Sequence, residues 1–204
     1  MNELLRSLPV FLSGVALSAT LLVVGPGDAR SQERDVDMAK MMELMGKYNN
    51  PGPSHAVLGR FVGEFTTELS MMGGPPEKGR AHGEWTLGRR FVTLEGEGTL
   101  MGMPSETFSM LGYDNFKQSF VTTYASSIET AMRHAEGDLT PDGKALIVYG
   151  TLDEYLTGEH DKMVKYVYRF PSDDVFVLEV HDLPIGEAGT KVVEVHFERV
   201  PEQR

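Results

Sequence analysis

The chain has 204 residues, a net charge of −11, 41% hydrophobic and 24% charged residues, and no cysteine. That length and composition suit one substantial globular core and exclude a disordered or fibrous chain. The acidity, with no cluster of Lys and Arg, argues against a nucleic-acid partner and an anionic membrane surface, and the missing cysteine excludes disulfides, thiolate metal sites, Cys nucleophiles and a lipoprotein anchor.

The first thirty-odd residues read apart from the rest. Arg6 gives a short basic start, an apolar run spans 8–24, and Gly25-Pro26-Gly27 stops a helix. Ala29 and Ser31 then stand at the spacing of a peptidase site, with Gly27 and Ala29 as a second choice. This layout predicts a secretory signal peptide over 1–31, cleaved near Ser31, and a periplasmic or extracellular protein with no stable membrane span afterwards. The competing reading is a retained anchor, since the run approaches the roughly 17 residues needed to cross a bilayer. Cleavage removes Arg6 and Arg30 together with Glu3 and Asp28, so the −11 belongs to the mature part.

A helix is predicted over 35–47, capped by Asp35 or Asp37, with Met38, Met41, Met42 and Met45 on one face at i, i+3, i+4 and i+7. Asn49-Asn50-Pro51-Gly52-Pro53 ends it. The Met stripe is expected to pack on the following domain or cover its mouth; its alternative is a docking face for a partner. The division is therefore 1–31 signal peptide, 32–53 Met-rich helix and linker, and 54–204 a β domain.

After Ser54 and a short helical turn through Leu58, the period changes to 2 and stays there. Strand-like runs cover 60–70, 79–87, 90–100, 105–113, 116–125, 130–139, 144–152, 162–170, 175–181 and 190–200. Turn chemistry separates them, Pro141-Asp142-Gly143 most clearly. About ten strands joined by short connections predict a mainly β fold, a single antiparallel up-and-down barrel whose closure removes exposed edges, with a two-sheet sandwich as runner-up.

Faces alternate cleanly in places: Val164, Tyr166, Tyr168 and Phe170 oppose Lys165 and Arg169, and Val193, Val195 and Phe197 oppose Glu194, His196 and Glu198. The run 144–152 is apolar on both faces, which fits a strand covered outside, by the Met-rich helix for instance. Phe120 and Tyr124 share a face with Thr122, and Met132 and His134 share one with Thr130 and Glu136. Such mixed faces suit a barrel interior that holds a ligand.

Five short segments follow one another in order: Pro53-Ser54-His55 with Leu58, Phe61-Val62-Gly63-Glu64-Phe65, Trp85 through Val92, Leu111-Gly112-Tyr113-Asp114 and the strand ending in Tyr124. Together they resemble a bacterial family known only as domain of unknown function 1579. Phe65 stands where the family commonly has Trp, and Arg89 where a second Gly is usual. The resemblance implies a lipocalin-like or calycin-like barrel and carries no reaction with it.

Chemistry-bearing patterns are sparse. His55, His82, His134, His160, His181 and His196 fall in no compact ligand spacing, so no metal site and no cofactor is expected. His196 is the candidate for a haem alternative, because the haem-binding nitrobindin barrels carry an axial His near their C-terminal end. A hydrolase-type alternative would use His134 with Glu136 or Asp138. Glu95 with Glu97 and Glu64 with Glu68 read as solvated outer faces, and no G-x-S-x-G elbow exists. The leading expectation is a non-catalytic barrel holding a small apolar or amphipathic molecule, lined by Trp85, Tyr124, His134 and Tyr166.

Overall fold

The computed structural model describes residues 37–155, 157–183 and 189–201. Contacts divide the chain into Met1–Asp37 and Met38–Arg204, and the elements below belong to the second unit. The expected signal peptide and Asp35 lie outside the described residues.

Helix α1 (Met38–Tyr48) is followed by one turn of helix, α2 (Pro53–Ala56), and a 3-10 turn at Val57–Phe61. Ten strands complete the unit: β1 (Gly63–Met71), β2 (Glu77–Thr86), β3 (Phe91–Leu100), β4 (Met103–Asp114), β5 (Ser119–Ser126), β6 (Arg133–Leu139), β7 (Ala145–Glu154), β8 (Glu159–Arg169), β9 (Val175–Asp182) and β10 (Thr190–Arg199). Each pairs antiparallel with its chain neighbours, and β1 pairs with β10, so the meander closes into a barrel as the turn signals predict. Among the described residues no helix is long and apolar enough to cross a membrane.

Several boundaries differ from the expectation, β5 starting at Ser119 rather than 116 and β8 at Glu159 rather than 162 among them. The period-2 pattern places residues 60 and 61 in the first strand, but they finish the 3-10 turn, which drops Leu58 and Phe61 into the barrel end at 0% exposure. The sixth strand begins at Arg133 rather than 130, because 127–132 form the connection from β5.

Local chemistry sets the hairpins. Asp142 Oδ1 accepts from Thr140 Oγ1 at 2.7 Å and from the Lys144 amide at 3.1 Å, and Gly143 takes φ +70° to turn the chain. Asp114 likewise accepts from the Phe116 and Lys117 amides at 2.8 and 3.0 Å; these bonds, the Lys117 one foremost, hold its carboxyl below the ordinary range.

The 3-10 turn is the floor of the barrel. Phe61 meets Tyr168, Phe170 and Phe176 edge-on at centroid distances of 5.4, 5.7 and 5.0 Å, and Phe176 stacks on Phe197 at 4.1 Å. Each ring buried this way contributes roughly 1.5–3 kcal/mol, with a further ~1 kcal/mol per aromatic pair. Gly83 on β2 permits the contact, since a Cβ there would stand 1.7 Å from the Phe61 carbonyl oxygen. Arg199 locks the seam: it lies 4.8 Å from the Phe65 ring, donates to the carbonyls of Val62, Arg60 and Asp173, and pairs with Asp174 at 3.3 Å.

Helix α1 forms as the Met spacing predicts but buries none of its residues. Its C-terminal end meets the barrel's loops instead: Asn115 Nδ2 donates to the Tyr48 and Asn50 carbonyls at 2.9 and 2.8 Å, and Tyr48 packs edge-on against Phe116 at 5.2 Å. The Met face does not cover the doubly apolar strand β7 as expected, since Tyr149 on its outer face is 47% exposed.

Candidate ligand-binding lumen

In a closed sheet the pleat sends alternate side chains inward. The register fixes which ones. Phe65 opposes Ala81, Thr67 opposes Phe197, Val92 opposes Leu111, Phe120 opposes Gly137, Tyr124 opposes Arg133 and Val148 opposes Tyr166. All of these face inward, as do Leu178 opposite Val195 and Val164 opposite Asp182.

The two halves of this inner face differ. Near the floor Phe65, Val92, Leu111, Phe120, Leu146, Phe176 and Phe197 are buried. Towards the other end Thr67, Leu69, Thr107, Ser109, Thr122, Leu178, Val180, Val193 and Val195 are only half-buried. These residues stand inside a wall bonded on both sides, so their exposure means that solvent enters the barrel from the end opposite the floor.

A polar ring lies in that open half. Arg133, inward on β6, pairs through Nη2 with Oε2 of Glu129 from the β5–β6 connection at 2.6 Å. Its guanidinium sits 5.3 Å from the Tyr124 ring centroid. Burial pushes the Tyr124 and Tyr166 hydroxyls above their ordinary pKa, with the Arg133 charge pulling the other way, so both phenols keep their protons at neutral pH. On the adjoining wall Lys162 pairs with Asp182 at 2.8 Å, and that contact raises the Lys162 pKa.

Three buried side-chain polar atoms lack a hydrogen-bond partner among the described residues: Arg133 Nε, Tyr166 Oη and Asp182 Oδ1. All three belong to inward-facing residues of the open half. Arg133 lies against the Tyr166 hydroxyl, near enough to pull its pKa down by charge and by weak hydrogen bonding, though not in the alignment of a full bond. Buried polar groups are nearly always paired, so unfilled bonding capacity on this inner face marks a place for a polar partner.

The residues expected to line the interior divide three ways. Tyr124 and Tyr166 belong to the polar ring. Trp85 is inward but sits in the floor, packed with the core beside Gly59 and with Arg89 4.7 Å from its ring. His134 is a correction: it is exposed on the outer face and lies 3.2 Å from Thr123 Oγ1. The inner face of β6 is the other one, Arg133, Ala135 and Gly137, where β7 comes so close that a Cβ at Gly137 would stand 2.0 Å from the Ile147 carbonyl oxygen.

Glu136 and Asp138 share the outward side with His134, and Glu136 pairs there with Lys117, so the hydrolase-type group does not meet inside the barrel. His196 is also outward and bonds Glu194 Oε1 at 2.9 Å, which removes it as an axial ligand inside. Among the described residues no three His, Asp or Glu side chains gather to hold a metal ion. Sequence reasoning missed Arg133, Glu129, Lys162 and Asp182. The one available signal was small residues, Ala135 and Gly137, alternating with an arginine.

A depression of about 620 Å³ also marks the outer face of β1–β5, bounded by Glu64, Arg80, His82, Glu95, Glu97 and Glu106. It is shallow and solvated, and its charges are answered locally, Glu97 by Arg80 at 3.3 Å and Glu64 by His82 at 2.6 Å. It holds none of the orphaned atoms.

Comparison with known proteins adds the fold and little chemistry. A family profile described as "Protein of unknown function (DUF1579)" matches residues 50–199. No curated protein matches. Among solved structures, Rv2717c from M. tuberculosis is similar at 12% identity and a TM-score of 0.51, covering 74% of this chain and 100% of its own. The S-type phycobiliprotein lyase CPES from Guillardia theta is similar at 11% identity and a TM-score of 0.47, covering 74% of this chain and 94% of its own. A de novo designed fluorescence-activating β-barrel is similar at 10% identity and a TM-score of 0.41, covering 71% of this chain and 97% of its own. At these identities the first of them supports the barrel fold alone.

Proposed function

For a chain that belongs to the DUF1579 family, described only as of unknown function, we propose the role of a non-catalytic carrier that holds a small amphipathic molecule in its barrel lumen. The observation that carries this reading is the set of three orphaned polar atoms on inward-facing residues of the half-buried part of the barrel. Leu69, Leu178, Val180, Val193 and Val195 offer the apolar walls that an alkyl or aromatic body needs, and the ring around Arg133 offers the few oriented polar contacts that fix a ligand. We also read 1–31 as a cleaved export signal, so that the carrier acts outside the cytoplasm; the N-terminus of protein recovered from the periplasm should then begin near Gln32.

The test is titration with Nile red, an uncharged apolar dye. Its emission should rise and shift to the blue with saturable one-to-one binding. Ser109→Phe, which adds a ring to the inner face of β4, should abolish the signal while leaving the thermal transition in place. A dye that stays dark, or that binds the Ser109→Phe variant equally well, would overturn the proposal.

A further inference from the structure

Resting on that reading of the lumen, we propose that its ligand is uncharged, with a carbonyl-type acceptor at its polar end, and that Glu129 enforces this choice by holding the charge of Arg133. Charge balance is the physical basis. Among the described residues each cation of the inner face already has an opposite partner. Arg133 has Glu129 at 2.6 Å, Lys162 has Asp182 at 2.8 Å and Glu159 at 3.6 Å, and Arg199, in the floor, has Asp174 at 3.3 Å. Glu77, at the rim on β2, turns to the Met101 and Gly102 amides at 2.7 and 3.1 Å.

A carboxylate entering this ring would set a second negative charge beside Glu129, or displace it from its ion pair with Arg133. An ammonium would meet the already paired Arg133 and Lys162 charges. A neutral dipole meets neither repulsion.

The unsatisfied atoms fit a neutral group. Arg133 Nε is a donor, and the Tyr166 hydroxyl, which keeps its proton, is a second donor beside it from β8, two strands away in the wall. A carbonyl oxygen has two lone pairs and can accept from both. Tyr124, held beneath the guanidinium, presents a flat apolar surface beside that position. Asp182 Oδ1 remains as an acceptor on the adjoining wall for a ligand that also carries an N–H or O–H.

The experiment is displacement of Nile red by three ligands with the same alkyl chain: decanamide, decanoate and decylammonium. Wild-type protein should bind decanamide about tenfold or more tightly than either ion. Glu129→Gln frees the Arg133 charge, so decanoate should gain about tenfold while decanamide is unchanged. Arg133→Gln frees the Glu129 charge and should instead favour decylammonium, which keeps the test alive if the first variant folds poorly. If Nile red binds but decanoate displaces it as well as decanamide does, the headgroup assignment falls and the carrier reading stands. If the two variants leave the order of the three ligands unaltered, Glu129 is not the selector. If Nile red does not bind, both readings fall together.

Discussion

The same strands build both ends of this barrel, yet the ends are chemically opposite. Followed from floor to mouth, β5 runs Phe120, Thr122, Tyr124, Ser126 on its inner face, β9 runs Phe176, Leu178, Val180, Asp182, and β3 runs Val92, Leu94, Gly96, Gly98. Each strand starts on an apolar side chain at the floor and ends at the mouth on a small or polar one, Ser126, Asp182 and Gly98. At the floor the side chains are large enough to meet across the axis, and they interlock with Phe61 and Leu58 from the 3-10 turn. At the mouth they are too small or too polar to close the space, so water reaches them. A lumen here is what remains where the core residues stop, and cohesion and recognition are assigned to different levels of one sheet.

The sharpest way to break this comparison is to cut the floor. Phe61→Ala should cost about 3–5 kcal/mol, because the ring is 0% exposed and touches three other aromatic rings. Thr122→Ala, half-buried on the open half, should cost well under about 1 kcal/mol. Urea denaturation of the two variants measures both. Comparable losses would mean that the open half is packed like the floor, and the lumen would lose its physical basis.

An intermediate effect is expected from the outer wall, which serves as a control because it belongs to neither end. Glu179 on β9 accepts from Arg169 at 3.0 and 3.1 Å and from His181 at 2.9 Å. Burial by itself would raise its pKa, but those partners outweigh burial and hold it at about 2, below the ordinary 4.5. A carboxylate with a depressed folded pKa contributes stability that is complete above its unfolded value and is lost as pH falls. The contribution of Glu179 should therefore be full above about pH 5 and vanish between about pH 4.5 and 2. Glu179→Gln should cost on the order of 1–2 kcal/mol at neutral pH and progressively less on acidification. Its dye affinity should match wild type throughout. A stability difference that does not change with pH would show that the network does not titrate.

Much of the floor-to-mouth architecture was legible in the sequence, and the reasons are local. Period-2 alternation and turn residues such as Pro141-Asp142-Gly143 are readable from a few neighbours, and they specify ten paired strands. The candidate site was legible only in part. Tyr124 and Tyr166 lie on strands whose inner face is plainly the aromatic one. On β6 both faces mix polar and apolar residues, and the choice between His134 and Arg133 is made by the neighbouring strands, whose registers place Gly137 inward between Phe120 and Val148. Glu129 and Arg133 stand only four residues apart, but strand alternation gives no reason to join them, and the Lys162–Asp182 pair follows from a register that no short window contains. Histidine has versatile chemistry, which singles out His134, but side-chain chemistry does not say which way a strand faces.

The smallest effect separates helix formation from helix burial. The Met38, Met41, Met42 and Met45 spacing specifies α1 correctly, yet Met42 is 68% exposed and the helix buries no residue. What ties this segment to the barrel is its far end, through Asn115 and the Tyr48 ring. Met42→Lys should therefore change stability by less than about 0.5 kcal/mol, since lysine is as good a helix former and no packing is lost. Tyr48→Ala should cost more, by removing the ring contact with Phe116. If Met42→Lys instead destabilised the barrel by about 1 kcal/mol or more in urea, the Met face would have a covering partner within the molecule, and exposure would no longer distinguish α1 from the packed floor.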